Sequence, residues 1–415
     1  MTKTVNSGNR AARRVIAILG VMLLLLGLVM PALQPSHALD YNYYTRFKGQ
    51  DMELSVYNVG EYIPDGSDDL MDVVAEFEDL TGITVYYTNF ATNEEMYAKI
   101  KGSNVAYDVI VPSDYMISRL IEEDMLSPLN KDNIPNLANI DPKFMDPEYD
   151  PGSVYSVPYF WGVVGIAYNE KYVDEPDSWD ILWDPEYSGK ILMFAGSRDA
   201  FAIACSRLGF SLNTTDEEEL REAAALLVSQ KQYVQAYVQD EIFDKMEAEE
   251  AWISPCYAGD AWLMSDNNES ICFAFPEEGS NLFVDACCIP KNAEHQEAAE
   301  MFINFLNEPE VAAENAEYVG YASPNLAALE LLDEEIVEDE VIYPSDETIA
   351  KTEKFLHLPE ETNLLMDSLW TEVMAQGSSF LSWGLPPLLV IAAIIFGKLY
   401  YRHYKDRVYR YMEED

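Results

Sequence analysis

The residues with chemistry to offer are carboxylates and rings placed where apolar runs end. Glu61 and Tyr62 close the stretch Leu54-Ser-Val-Tyr-Asn-Val-Gly-Glu-Tyr-Ile-Pro64, in which Leu54, Val56 and Asn58 alternate with Ser55, Tyr57 and Val59. That period of two is a strand, Gly60 permits a turn and Pro64 ends pairing. A charge and a ring therefore reach the carboxyl end of a strand, the edge where open α/β sheets hold ligands. As ordinary loop chemistry Glu61 would be solvated and Tyr62 would pack. Asp285 is the second case, the one polar side chain in Leu282-Phe-Val-Asp-Ala-Cys-Cys-Ile289. A carboxylate inside an apolar strand is costly without a partner, so Asp285 either pairs with an arginine or a cap, or faces a ligand. Pro112-Ser113-Asp114-Tyr115 follows another short apolar run, Tyr107 to Val111, and gives a further strand end.

The elements that must position these residues alternate between strand and helix. Helices are expected over 70–80, 94–100 and 116–125, with strands over 83–90 and 107–111 between them. Such alternation predicts a parallel sheet covered on both faces. The Asp- and Pro-rich stretch Pro142 to Gly152 precedes Tyr155 to Asn169, an extended aromatic run long enough to cross between two lobes. A second α/β unit follows. Ser178 caps a helix through Leu182, Ile191 to Phe194 is a strand, and helices are expected over 199–208 and 217–230. Trp252 to Tyr257 and Ile271 to Phe275 read as strands around a helix over 260–264, and helices over 297–306, 309–318, 346–355 and 361–374 close this part. Pro309 sits at a first helical position, where its missing donor does no harm.

The chain has 415 residues, 49% of them apolar, and a formal charge of −47, which suits two domains with appendages and excludes a disordered chain. Both ends are net basic, so the intervening part is more acidic than the whole; its field repels nucleic acid and gathers cations, though solubility alone also accounts for most of it. Val15 to Met30 is an uncharged apolar run after Arg10, Arg13 and Arg14, the layout of a secretory signal or an uncleaved anchor. Phe380 to Gly397 is a second such run, followed by Lys398, Arg402, Lys405, Arg407 and Arg410. It is expected to be a transmembrane helix with a cytoplasmic tail, the alternative being a buried core helix. The five cysteines, Cys205, Cys256, Cys272, Cys287 and Cys288, are odd in number and sit among apolar neighbours, which favours buried thiols over a disulfide framework. The chain has only 4 histidines and no CxxC or HxxxH, so neither a zinc site nor a cofactor is expected.

The phrases Glu61-Tyr-Ile-Pro64, Asn93-Glu-Glu-Met-Tyr-Ala-Lys99, Tyr107-Asp-Val-Ile-Val-Pro-Ser113, Pro158-Tyr-Phe-Trp-Gly162 and Gly320-Tyr-Ala-Ser-Pro-Asn325 carry a resemblance. The chain resembles the polyamine-binding proteins of ABC importers, the spermidine/putrescine-binding family of bacterial extracellular solute-binding proteins. The resemblance implies a two-lobed α/β fold of the periplasmic-binding-protein type II class with a hinge. With the flanking segments it implies a signal or anchor over 1–39, a first lobe of 40–160 and 285–330, and a second lobe of 161–284 and 331–376. A transmembrane helix over 380–400 and a tail over 401–415 complete the expected organisation.

In that family the ligand lies between the lobes, its ammonium groups on carboxylates and its methylenes between rings. Transferred position by position, the resemblance implies ligand contacts from Glu61, Tyr62, Ser113, Tyr115, Asp199, Tyr257, Phe283, Asp285 and Tyr321, with Gln239 a weaker assignment. Val59 departs from the family by replacing a stacking aromatic, and Gly196 stands where another acid is expected. The implied partners are a polyamine, ABC permease subunits and, through the C-terminal helix, a membrane; nucleic acid is excluded by charge.

This site also makes physical sense, because a flexible diamine or triamine needs spaced carboxylates with aromatic walls between them. Each cation–π contact is worth roughly 0.5–2 kcal/mol, and a desolvated ammonium must be paired with a carboxylate. Another organic cation on the same fold is the alternative. An extracellular hydrolase lacks its motifs, there being no Gly-x-Ser-x-Gly elbow, and a surface sensor lacks a tail long enough for a signalling domain. The expected location is the outer face of the cell membrane.

Overall fold

The seven residues Glu53–Val59 form strand β1, with Leu54, Val56, Tyr57 and Asn58 buried. The computed structural model describes residues 39–375 except 61, 68, 69 and 104. The chain divides into two units, residues 1–46 and 47–415. In the first, helix α1 (Tyr41–Tyr44) is capped by Asp40, whose carboxylate accepts from Asn42 N and Tyr43 N at 3.0 and 3.2 Å.

In the second unit, β1 lies parallel to β2 (Thr84–Phe90), and helix α2 (Val73–Thr81) connects them. Asp72 caps α2 by accepting from Ala75 N at 2.9 Å, so the helix starts later than its apolar pattern, which extends back to Leu70. Helix α3 (Asn93–Gly102) and the two-residue strand β3 (Val109–Ile110) follow, then helix α4 (Asp114–Glu122). Strand β4 (Ser156–Asn169) is buried over all 14 residues. Beyond it come β5 (Ile191–Phe194), α5 (Ser197–Leu208), α6 (Glu217–Gln230), β6 (Val234–Val238) and α7 (Glu241–Glu247). Strand β7 (Ile253–Tyr257), helix α8 (Ala258–Asn267), strand β8 (Ile271–Ala274) and strand β9 (Ser280–Cys288) lead to helices α9 (Gln296–Leu306), α10 (Pro309–Val319), α11 (Leu326–Leu329), α12 (Glu334–Val337) and α13 (Asp346–Ile349). Strand β10 (Thr352–Glu353) and helix α14 (Glu360–Ala375) end the described chain.

The sheet is mixed, where strand and helix alternation had predicted a parallel one. Its order is β2-β1-β3-β9-β4-β7-β5-β6, with β10 on β9 and β8 on β4. The outer pairs β1–β2, β1–β3, β5–β6 and β5–β7 are parallel, while β9 is antiparallel to β3 and β4, and β4 to β7. The antiparallel members are the two long strands that carry the chain between two cores. Trp161 and Val163 of β4 pack in one core with Tyr57, Ile110, Val284 and Ala286. Val164, Ile166 and Tyr168 pack in the other with Trp179, Phe201 and Leu227. Fully burying one such side chain contributes about 1.5–3 kcal/mol, so each half of β4 is committed to its own lobe. The result is a two-lobed α/β architecture whose lobes share β4 and β9.

The fold class needs one correction. No helix among the described residues is long and apolar enough to cross a membrane. Helix α14, the last described, has 16 residues and carries Glu360, Glu361, Asp367 and Glu372, charges that a bilayer would not take. The transmembrane helix expected over 380–400 lies outside the described residues, and the fold as described contains no membrane-spanning helix. The expected signal or anchor (1–38 of the 1–39 range) and the tail (401–415) likewise lie outside the described residues. The five cysteines are free thiols, four of them buried and Cys272 half-buried.

Candidate functional site

Asp285 sits in the middle of β9, only 5% exposed, and its two oxygens go to two hydroxyls. Tyr62 donates from its phenol to Oδ2 at 2.7 Å, and Ser113 donates from Oγ to Oδ1 at 2.6 Å. The alternative of an arginine partner or a helix cap is thus replaced by two neutral donors. Ser113 is itself fixed by Asn93 at the start of α3, which donates from Nδ2 to Ser113 Oγ at 3.0 Å and accepts from Ser113 N at 3.1 Å. Strand ends β1 and β3 therefore converge on one carboxylate of β9. Burial pushes the Asp285 carboxyl up, and the two hydroxyls pull it back.

Rings wall the space around Asp285. The Tyr62 ring meets Phe160 edge-on at 5.4 Å and Tyr321 at 5.6 Å, and Tyr321 meets Phe283 at 5.4 Å. Phe283 in turn meets Tyr257 at 5.3 Å, and Tyr257 meets Phe194 at 5.4 Å. All but the tilted Tyr257–Phe194 pair are edge-to-face, and such contacts contribute roughly 0.5–1.5 kcal/mol each beyond area. A bulge between Pro158 and Phe160 turns Tyr159 so that its phenol donates to Tyr62 O at 2.7 Å. Gly259 makes room for Tyr321, since a Cβ there would lie 2.0 Å from the tyrosine Cδ1.

Carboxylates from the second lobe face the same rings. Asp199, in the first turn of α5, is half-buried, and burial first, then Glu94, push its carboxyl up to about 6 against the pull of Arg198 and Tyr257. The Tyr257 phenol is raised by burial and then by Asp199, Asp260 and Asp285, so all three charges reach one ring. Tyr115 opens the other side. Its phenol donates to Glu94 Oε1 at 2.9 Å, and its ring meets Phe355 at 6.1 Å.

The structure thus brings together Tyr62, Ser113, Tyr115, Asp199, Tyr257, Phe283, Asp285 and Tyr321. Gln239 stands exposed at the end of β6, its Nε2 within 3.9 Å of where a Gly196 Cβ would be. Glu61 lies outside the described residues. A Cβ at Gly196 would lie 2.9 Å from Asp199 Oδ2, so a side chain there would displace the Asp199 carboxylate. Val59 is half-buried against the first core.

Two carboxylates that sequence reasoning missed belong to the same neighbourhood. Asp260, in the first turn of α8, accepts from the Tyr321 phenol at 2.8 Å; burial pushes it up to about 7, Tyr321 opposes and Asp240 adds. The available signal was its place three residues after Tyr257, just past the strand end. Asp114 is fully buried behind Asp285, with Oδ1 accepting from Tyr115 N at 2.7 Å. Burial holds it at about 8, with Tyr115 N–H lowering it and Asp285 raising it. No metal-binding group of side chains occurs among the described residues. The arrangement can hold cations by charge and flank an apolar link with rings.

Two lobes joined by shared strands, with facing carboxylates and rings between them, define a solute-binding protein. Residues 72–344 match the family model "Bacterial extracellular solute-binding protein". The chain is 37% identical over 303 residues to the spermidine/putrescine-binding periplasmic protein of Escherichia coli, covering 72% of this chain and 85% of that one. It is 31% identical over 340 residues to the putrescine-binding periplasmic protein SpuD of Pseudomonas aeruginosa, covering 77% and 91%. Among solved structures, the spermidine/putrescine ABC transporter substrate-binding protein PotD of Streptococcus pneumoniae matches with a TM-score of 0.69 and 39% identity, over 78% of this chain and 99% of that chain. The chain belongs to the bacterial extracellular solute-binding protein family, as its motifs implied.

Proposed function

We propose that this chain captures a polyamine of the putrescine or spermidine class between its lobes and delivers it to an ABC permease. The observation that carries the reading is Asp285, a buried carboxylate whose two contacts are neutral hydroxyls, enclosed by Tyr62, Phe283 and Tyr321. An acid buried in this way retains its charge best when a cation arrives, and an ammonium flanked by rings supplies one. The second ammonium would meet Asp199 or Asp260 across the crevice, with Tyr257 and Phe283 along the methylenes. The names of the relatives support the same ligand class, and their periplasmic location supports work outside the cytoplasmic membrane.

No bond is made or broken in this reading, so the chain acts as a carrier and not as an enzyme. In this reading the hinge lies in β4 and β9, where β4 passes from Val163 in the first core to Val164 in the second, with the segment from Ile342 in the first core to Leu358 in the second as a third crossing. Ligand favours the closed arrangement because only there do both sets of carboxylates reach it.

A thermal-shift series on the full chain with diamines and triamines tests the proposal. A ligand at 100 times its Kd stabilises by about 2.7 kcal/mol, so putrescine or spermidine should raise Tm clearly. No shift with either, alongside a shift with a different organic cation, would move the assignment to that cation. Gly196 and Val59 favour this second reading, since each removes a contact expected for a polyamine.

A further inference from the structure

Arg198 precedes Asp199 in α5, yet its hydrogen bonds turn away from the crevice. Nη2 donates to Asn213 Oδ1 at 2.7 Å and to Leu356 O at 3.4 Å, and both acceptors are neutral. The guanidinium carbon lies 4.3 Å from the centre of the Phe355 ring. Asn213 brackets the same segment from the other side, donating from Nδ2 to Lys354 O at 2.8 Å and accepting from Leu356 N at 2.8 Å. Phe355, buried between them, faces Tyr115 of the first lobe and lines one small cavity with Asp199.

We propose that Arg198 is a positioning residue for the binding site: it ties the third crossing segment, Lys354–Leu356, to the helix start that bears Asp199, and supplies a fixed positive charge beside that carboxylate. The inference rests on the polyamine reading for its consequence but not for its geometry. Three hydrogen bonds and a cation–π contact hold the segment, so α5 and the crossing segment move as one piece. A planar fork over a ring does this in a way an ammonium cannot.

The charge matters because Asp199 faces like charge. Glu94 of α3 approaches it from the first lobe, the phenols of Tyr115 (α4) and Tyr257 (β7) flank it, and the crossing segment presents the neutral Phe355. Lys354 of that segment acts instead on Asp114. Arg198 is the cation that keeps the Asp199 carboxyl lower than burial and Glu94 would leave it. Removing it raises Asp199, so the acid limb of any binding profile that needs ionised Asp199 must move to higher pH.

Two readouts on the full chain test this. In the ligand-free protein, carbon-13 NMR of the Asp199 carboxyl should show a midpoint near 6 in the wild type and a higher one in R198Q, with R198K close to wild type. An unmoved midpoint in folded R198Q overturns the assignment whatever the ligand is. With putrescine, R198Q should bind about tenfold more weakly, at pH well below the wild-type midpoint, for each unit that Asp199 rises. Wild-type protein that binds no amine defeats the polyamine reading alone. If R198Q does not fold, N213A reads the clamp: faster amide exchange at Lys354–Leu356 is expected, and unchanged exchange there defeats it.

Discussion

Asp285 and Asp199 would have different tasks in the proposed site, and the difference follows from their surroundings. Asp285 is held by the Tyr62 and Ser113 hydroxyls, which favour its charged form and fix its direction. Replacing it with alanine leaves both hydroxyls without an acceptor and removes the site's innermost charge. Asp285→Ala should weaken diamine binding by about 2–5 kcal/mol while keeping the far-ultraviolet circular dichroism of the wild type. Calorimetry showing wild-type affinity would take Asp285 out of the site. Asp199 and Asp260 carry the pH dependence, since burial lifts them to about 6 and about 7. A carboxyl raised above its unfolded value gives stability that is complete below that unfolded value and lost as pH rises through the folded one. The ligand-free protein should therefore become less stable between about pH 4 and pH 8 on account of these two groups and of Asp114, which burial lifts to about 8. An amine ligand acts in the opposite direction, because it binds the ionised forms. The Tm increase it gives should grow from pH 5 to pH 8, and a constant increase would show that neither acid meets the ligand.

Elements near the site were legible where local pattern and packing agree. Strand β1, the buried run of β9 and helix α10 with Pro309 at its start are found where alternation, apolarity and proline position them. The failures are places where tertiary contacts overrule the local pattern. Val234–Val238 is a half-buried edge strand whose pattern was too weak to read, and the helix expected over 346–355 stops at Ile349 because Thr352 and Glu353 pair with Ser280 and Asn281 instead. The run Tyr107 to Val111 shortens to two residues for a related reason: Asp108 accepts from Ser55 N at 2.9 Å and from Glu294 N and His295 N at 3.0 and 2.9 Å, so it serves as a brace. At the site, rings and acids at strand ends were legible, whereas Asp260 and Asp114 gain their meaning only from burial against Tyr321 and Asp285. The tight helix start at Gly259 gives an element-scale test. Gly259→Ala would drive a Cβ into Tyr321, and overpacking of this kind costs about 1–3 kcal/mol. Urea denaturation should show that loss together with weaker amine binding, and a wild-type denaturation midpoint would mean that Tyr321 can retreat freely.

At the scale of the molecule, the −47 formal charge acts on the encounter more than on the bound state. Few of those charges reach the crevice; the others make a diffuse negative field, which draws a dication or trication toward the protein from beyond contact distance. Salt weakens such a field over a Debye length of about 8 Å near physiological ionic strength. The carboxylates between the lobes are partly desolvated and so are screened less. Raising salt should therefore slow putrescine association severalfold while leaving dissociation nearly constant, and neutralising surface acids far from the site should imitate the effect. Stopped-flow traces recorded from low to high salt separate the two rates. If salt instead speeds dissociation and spares association, the bound amine is held by exposed surface charge, and a crevice closed between two lobes is not where it sits.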